Sequence, residues 1–194
     1  MIREIILSTY DASGQPHLAP MGLQQEGDDY LIQPFRPSST LDYCLMTGEA
    51  VINYCDDVRV FAGCITGRRS WDWTRAEQVT APRLTCALSH TELLLEQVSR
   101  EDSERPCLHF RAVHDAMHRP FRGFNRAQSA VIEAAILMSR LGMLPQEKIT
   151  QELTYLMIAM NKTAGPHELE AWNWLMDHYR AHRATAPEDR EYHL

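Results

Sequence analysis

The residues most suited to binding chemistry lie in the turn that contains Arg36, Ser38, Ser39 and Thr40. Three hydroxyl residues stand where a helix is predicted to begin, with an arginine just before them. The first N–H groups of a helix have no partner within the helix, and the helix dipole favours an anion there. Hydroxyls, backbone amides and one guanidinium are therefore suited to bind a phosphate group. The alternative is that Ser38 or Ser39 only caps the helix, because serine is a favoured N-cap residue.

A second basic segment lies farther along the chain, between residues 109 and 126. Its cationic and titratable residues are interspersed with phenylalanines: Arg111, Arg119, Arg122, Arg126, His109, His114 and His118. The whole chain has a net charge of −7, so a local basic block indicates an anionic ligand. The alternative is a solvated linker. The same net charge disfavours binding to nucleic acid or to an anionic membrane.

His114 and His118 are spaced so that, on a helix, both could bind one metal ion. No third ligand at a suitable spacing is evident, so the sequence predicts no metal site. It also lacks a nucleophile elbow, a P-loop and a GxGxxG turn. No catalytic side chain is therefore assigned from these motifs.

The elements that must position the hydroxyl-rich turn are mostly strands. Apolar and alternating runs predict strands over Ile2–Tyr10 and over residues 17–23, 30–35, 49–55, 83–97 and 107–113. A short helix is predicted to begin at residues 38–40 and to end at Gly48. About six antiparallel strands with short turns are typical of a small closed or nearly closed barrel.

The pattern becomes helical near residue 124. Asn125 is a favourable N-cap, and Gln128 follows it at the spacing of a capping box. Apolar residues then recur with helical periodicity in three segments, which are separated at Gly142 and at residues 165–166. The predicted fold class is therefore α+β, with a β-barrel domain over residues 1–123 and a three-helix domain over residues 124–182. Residues 183–194 are polar and aperiodic, and we expect a mobile tail there.

Composition is that of a globular protein. Hydrophobic residues make up 44% of the chain, yet no apolar run is long enough to span a membrane. The N-terminus does not resemble a signal peptide. There are 5 cysteines, an odd number, and none form a CxxC pair. These features indicate reduced thiols and a cytoplasmic location.

Several segments resemble the FMN-binding split-barrel superfamily, and its flavin-reductase-like pattern in particular. They are APMG at residues 19–22, PFRPSST at residues 34–40 and GEAVIN at residues 48–53. The helical phrases FNRAQSAVIEAAILMSRL and NKTAGPHELEAW resemble an uncharacterised branch, a domain of unknown function common in methanogens and methylotrophs. The resemblance covers residues 2–180.

This resemblance implies a homodimer that binds FMN between its subunits. The phosphate would lie beside Arg36 and residues 38–40, with the backbone near residues 20–22 facing the isoalloxazine ring. The implied cofactor-binding residues are Met21, Gly22, Arg36, Ser38, Ser39, Thr40, Asn53, Asn125, Arg126 and Lys162. Of these, Asn53 would contact the ring edge or the ribityl chain, and the last three would approach from the helices or from the partner subunit.

The implied function is an FMN-dependent oxidoreductase. It would pass hydride or electrons between a reduced nicotinamide and a small organic acceptor, of which a pterin-type one-carbon cofactor is one class. Two alternatives remain open. The chain could hold FMN without turnover, as a carrier, sensor or assembly protein, or the barrel could bind another phosphorylated ligand.

Overall fold

The computed structural model describes residues 1–185 and divides into two units. The barrel unit comprises residues 1–56 and 70–121, and the helical unit comprises residues 57–69 and the chain from residue 122 onwards. The predicted mobile tail lies outside the described residues from position 186 onwards. Its first residues, 183–185, belong to the last helix.

The barrel unit contains six long or medium strands and one helix. The strands are β1 (Ile2–Tyr10), β2 (Pro16–Glu26), β3 (Asp29–Ile32), β4 (Glu49–Tyr54), β7 (Ser89–Ser99) and β8 (Cys107–Met117). They close into an antiparallel barrel in the order β1-β2-β3-β8-β7-β4. Helix α1 (Ser39–Thr47) connects β3 to β4. The predicted six-stranded antiparallel barrel is confirmed.

The barrel core follows from the period of two in its strands. Alternate apolar residues of the strands point inward and are fully or almost fully buried: Ile5, Leu7, Leu23, Ile32, Ile52, Leu93, Leu108 and Phe110. Leu41 and Cys44 of α1 belong to the same cluster, so this helix packs against the barrel. Burial raises the pKa of the Cys44 thiol to about 12, which makes it unreactive.

The predicted strand over residues 83–97 is wrong at its beginning. Strand β6 (Arg83–Leu84) pairs with β5 (Trp73–Thr74) in a separate two-stranded sheet, and β7 begins only at Ser89. Between them the Ala87 N–H donates to the Leu84 carbonyl in a turn. The apolar residues before β7 therefore cover the barrel. Ala76, Val79 and Ala81 pack against Val51 on the outer face of β4.

The helical unit contains α2 (Arg59–Ile65), α3 (Arg126–Met138), α4 (Gln146–Thr163) and α5 (Pro166–Thr185). The three C-terminal helices are confirmed. Helix α2 was not predicted, because it is short and its N-cap residue, Val58, has no side chain that can cap it. None of the described helices has the length and apolar character needed to cross a membrane.

Small residues on α3 allow the helices to pack closely. Ala127, Ala130 and Ala134 are buried in one cluster with Trp172 and Leu175 of α5. The core of this unit is apolar throughout and also includes Val58 and Ala62 at α2. Its stability therefore depends on apolar burial.

Candidate functional site

The N-terminus of α1 combines a cap with free donors. Ser38 is the N-cap, and its Oγ accepts a hydrogen bond of 3.2 Å from the Leu41 N–H. The N–H groups of Ser39 and Thr40 precede the first intrahelical bonds and have no acceptor within the helix. The Ser39 side chain is exposed. Capping by Ser38 is therefore compatible with anion binding by the amides and hydroxyl that follow it.

Thr40 is turned inward rather than towards solvent. Its side chain is buried, and its Oγ1 lies 2.9 Å from His17 Nε2 on β2. The His17 ring in turn meets the edge of Tyr43, with 4.9 Å between ring centroids. Thr40 thus fixes the first turn of α1 against the barrel. Nothing in the local sequence around His17 indicated this contact.

Two arginines lie at the turn before α1. The exposed Arg36 donates from Nη2 to the Glu101 carbonyl at 3.0 Å, and its backbone N–H donates to the Glu104 carbonyl at 2.8 Å. The Arg105 guanidinium lies 4.2 Å from the ring centroid of Phe35, which is 60% exposed. The turn is therefore held by the loop before β8, and Arg105 adds a second cation that the sequence analysis missed.

Met21 and Gly22 lie on β2, opposite Ile5 and Glu4 of β1. Met21 is half-buried and packs against the barrel core. Gly22 is exposed, and a Cβ at this position would come within 3.0 Å of Ile2 Cγ2. A larger residue would therefore have to displace the Ile2 side chain.

Asn53 on β4 is fully buried, and its amide is satisfied within the barrel unit. Nδ2 donates to the Ile6 carbonyl at 3.2 Å and to Ser8 Oγ at 2.9 Å. Oδ1 accepts from the Leu84 N–H at 2.7 Å. The structure thus gives Asn53 a scaffolding role that ties the segment before β7 to β1 and β4. Its predicted flavin contact is not tested.

Asn125, Arg126 and Lys162 belong to the helical unit. Asn125 caps α3 as predicted, accepting from the Ala127 N–H at 2.7 Å and donating to the Thr163 carbonyl at 3.0 Å. Arg126 and Lys162 are exposed. Of the two bonds of the predicted capping box, the described residues form one, from the Gln128 N–H to Asn125 Oδ1 at 3.4 Å, and the Gln128 side-chain amide donates to Glu168 Oε1.

The basic block of residues 109–126 is divided between the two units. Arg111 pairs with Glu96 at 2.6 Å, and Arg119 donates to the Cys86 carbonyl. Arg122 and Arg126 belong to the helical unit. Arg111 and Arg119 therefore each have a partner within the barrel unit.

A buried polar cluster on β7 is the main feature that the sequence analysis missed. His90 and Glu92 have fully buried side chains and alternate onto the same face of the strand. The Glu92 carboxylate accepts from the backbone N–H groups of residues 77, 78 and 79 at 2.6, 2.6 and 2.9 Å. It also accepts from His90 Nε2 at 3.0 Å.

Charge and tautomer in this cluster follow from these bonds. Burial raises the pKa of Glu92, but the backbone N–H groups and His90 outweigh it and hold that pKa below its ordinary value. An ionised carboxylate only accepts, so we assign the proton of His90 to Nε2. His90 Nδ1 then accepts from His118 Nε2 at 2.9 Å. Desolvation, followed by the charge of Arg83, lowers the pKa of His118.

His114 completes the group. The helical spacing of His114 and His118 considered above does not apply, because His114 lies on β8 and His118 follows that strand. His114 stands directly opposite Glu92 in the β7–β8 ladder, next to a register shift. One ligand atom each from His90, Glu92 and His114 lie within 4.8 Å of one another. The only signal in the sequence is the H-x-E spacing of His90 and Glu92 on a predicted strand. The third member, His114, can be assigned only when the neighbouring strand is known.

Solved structures that superpose on all or part of this chain include an FMN-bound protein and a flavin reductase. An FMN-bound protein from Methanosarcina mazei, described as a DUF447 member, superposes with a TM-score of 0.78 at 19% identity, covering 91% of this chain and 94% of that one. Component B of nitrilotriacetate monooxygenase from Bacillus cereus superposes with a TM-score of 0.52 at 15% identity, covering 66% of this chain and 77% of that one. BorF, the flavin reductase of a bacterial two-component tryptophan halogenase, superposes with a TM-score of 0.51 at 13% identity, covering 62% of this chain and 82% of that one. At these identities the likeness shows the fold.

Comparison with curated proteins gives no match. Two family profiles match nearly the whole described chain. The first, "Protein of unknown function (DUF447) N-terminal domain", matches residues 3–119, and the second, "Protein of unknown function (DUF447)", matches residues 125–177. Together these profiles cover the barrel and most of the helices that follow it, and the chain belongs to the DUF447 family.

Proposed function

We propose that this protein binds FMN and acts as an oxidoreductase, passing hydride or electrons between a reduced nicotinamide and a small organic acceptor. The observation that carries the proposal is the donor set at the start of α1, in a fold shared with an FMN-bound protein of the same family. A phosphate monoester fits such a set, because it carries negative charge and several acceptor oxygens.

The donors at the turn match that requirement in number and kind. Ser39 and Thr40 supply two backbone N–H groups, and the exposed Ser39 supplies a hydroxyl. Arg36 has further N–H groups beyond the one it gives to Glu101. Arg105, held over Phe35, adds long-range attraction for an anion.

When bound, FMN supplies the redox chemistry, and the protein supplies orientation and electrostatics. In the proposed site Ser38 keeps the first turn of α1 in register, and His17 holds Thr40 in place. Gly22 has no side chain of its own, and we place the flavin ring along the β2 backbone there, where Ile2 is the neighbouring side chain. A role for Asn53 would require its bonds to Ser8 and Leu84 to be given up. Roles for Asn125, Arg126 and Lys162 stay predictions.

We also propose that the protein is a homodimer with its cofactor site at the subunit interface. Leu45 and Met46 on α1 are 45% and 53% exposed, and Phe35 at the adjacent turn is also exposed. Exposed large apolar side chains on a helix and on the turn before it are typical of surfaces that a partner covers. Multi-angle light scattering should give twice the mass of one chain, and a monomer at micromolar concentration would contradict the shared site.

The phosphate site is tested by titrating FMN-free protein with FMN and with riboflavin, which lacks the phosphate. The double variant Ser39→Ala/Thr40→Ala should weaken FMN binding at least tenfold and leave riboflavin binding nearly unchanged. It removes the exposed Ser39 hydroxyl from the anion site and the Thr40–His17 contact that holds the first turn of α1. Thr154→Ala, an exposed position on α4, serves as the matched control. Equal loss of both ligands would indicate a folding defect, and unchanged FMN affinity would remove the proposed site.

Turnover is tested separately, by adding NADH or NADPH to the FMN-loaded protein without oxygen. Bleaching of the oxidised flavin spectrum on a timescale of seconds supports the oxidoreductase. FMN binding with no reduction by either nucleotide would instead support a carrier, sensor or assembly protein.

A further inference from the structure

The cluster of His90, Glu92 and His114 has the donor chemistry of a transition-metal site. Two imidazoles and one carboxylate, with water in the fourth position, form one of the recurrent zinc ligand sets. We propose that these three residues bind a divalent ion of the zinc class. The proposal is independent of the flavin.

The carboxylate is already placed and oriented for this role. Three backbone N–H groups hold Glu92, so its two oxygens cannot rotate away. Hydrogen bonds from surrounding groups to the ligands are the usual outer support of metal sites. The one bond that an ion would replace is that between His90 Nε2 and Glu92 Oε1, whose atoms are 3.0 Å apart.

His118 provides the corresponding support for His90. Its Nε2 lies 2.9 Å from His90 Nδ1. When His90 Nε2 binds an ion, the proton of this imidazole moves to Nδ1 and is donated to His118 Nε2. His118 then carries its proton on Nδ1, so both rings stay neutral and the proton count is unchanged. The paired imidazoles therefore let His90 change tautomer without leaving an orphaned donor.

The remaining ligand, His114, is the part of the cluster that can move. It is half-buried, and its ring makes no hydrogen bond to any of residues 1–185. Zinc ligand atoms at a tetrahedral centre are roughly 3.3 Å apart. Since the three ligand atoms already lie within 4.8 Å of one another, a shift of His114 by at most about 1.5 Å towards the two fixed ligands would reach that spacing. The bulge beside it in the β7–β8 ladder gives the strand local freedom to do so.

The test is calorimetric titration of chelator-treated full-length protein with Zn²⁺, repeated with Co²⁺ for its visible spectrum. We expect one ion per chain and the absorption bands of four-coordinate cobalt with nitrogen and oxygen ligands. His114→Ala should abolish binding, and His109→Gln, on the same strand and bonded to Ser99, should bind as the wild type does. Far-UV circular dichroism checks that both variants are folded.

A second variant keeps the test decisive if His114→Ala does not fold. His118→Gln removes only the outer support of His90 and should weaken binding about 10- to 100-fold. Absence of zinc uptake by the wild type would show that the cluster is a hydrogen-bonded chain alone and would overturn the proposal. Equal affinity in His114→Ala and wild type would do the same.

Discussion

The two units of this protein bury different kinds of side chain. The helical unit has an apolar core of alanines, leucines and Trp172. The barrel unit buries, beside its apolar core, a carboxylate, an imidazole and an amide on the outer faces of β4 and β7, namely Glu92, His90 and Asn53. All three of these polar groups bond to the segment between β4 and β7 or to one another.

This difference shows which interactions hold the irregular segments of each unit in one conformation. Apolar contacts are non-directional, and they stabilise the helices without fixing individual loops. Buried hydrogen bonds to a charged group are directional and costly to leave unmade. The barrel unit uses them to hold irregular segments in place, which is what a ligand site on turns and loops requires.

The largest effect is expected in the helical core. Trp172→Ala should lower the free energy of unfolding of this unit by about 3 to 5 kcal/mol, because it removes a large buried side chain and leaves a cavity. Leu169→Ala, on the same helix at a position that is 49% exposed, is the control and should cost under about 1 kcal/mol. Urea unfolding followed by circular dichroism measures both. Similar losses for the two variants would contradict the assigned core.

The next largest effect is expected for Glu92→Gln, which should lower the free energy of unfolding by about 3 kcal/mol. An uncharged amide cannot accept from all the N–H groups that the carboxylate binds. Glu96→Gln, whose partner Arg111 is exposed, should cost less than about 1 kcal/mol. The same unfolding measurement applies. A loss at Glu92 no larger than that at Glu96 would show that the buried carboxylate does not hold the loop.

The pH dependence of stability should report part of the same interaction. The pKa of Glu92 is lower in the folded protein than its ordinary value of 4.5. Its contribution is therefore complete above that value and is lost as the pH falls through the lowered folded pKa. The difference in urea midpoint between wild type and Glu92→Gln should shrink between pH 6 and the acid limit. A difference that grows on acidification would reverse the assigned direction.

The smallest effects should come from the helix caps, one in each unit. Ser38→Ala and Asn125→Ala should each cost about 1 kcal/mol. Asn125→Ala should be the larger, because its amide also donates to the Thr163 carbonyl. Thermal unfolding of the two variants and of the corresponding glycine variants, which cost only a few tenths of a kcal/mol, provides the comparison.

Much of the fold could be predicted from local patterns. The alternating strands and the helical periodicity after Asn125 are properties of consecutive residues, and they predicted the barrel and the three helices. The turn before β7 was missed because the sequence pattern does not distinguish apolar residues that continue a strand from apolar residues that pack over it. Helix α2 was missed because seven residues carry too little periodicity.

The candidate site was only partly visible for a related reason. The helix cap at Ser38 and the hydroxyls beside it are local, so the sequence indicated them. Other members of the site contact residues that are distant in the chain, and only the folded barrel unit brings the partners together. These members are His17, Arg105 and the His90–Glu92 pair. The bonds of the Asn53 amide to Ser8 and Leu84 were likewise not visible in the sequence, and its flavin contact stays a prediction.

We propose that the barrel unit binds FMN through the start of α1. The most direct measurement is the absorption spectrum of the purified protein, followed by denaturation and identification of any released chromophore. We expect the bands of oxidised flavin and close to one FMN per chain, with both reduced in the Ser39→Ala/Thr40→Ala variant. A colourless protein that fails to take up added FMN would contradict it.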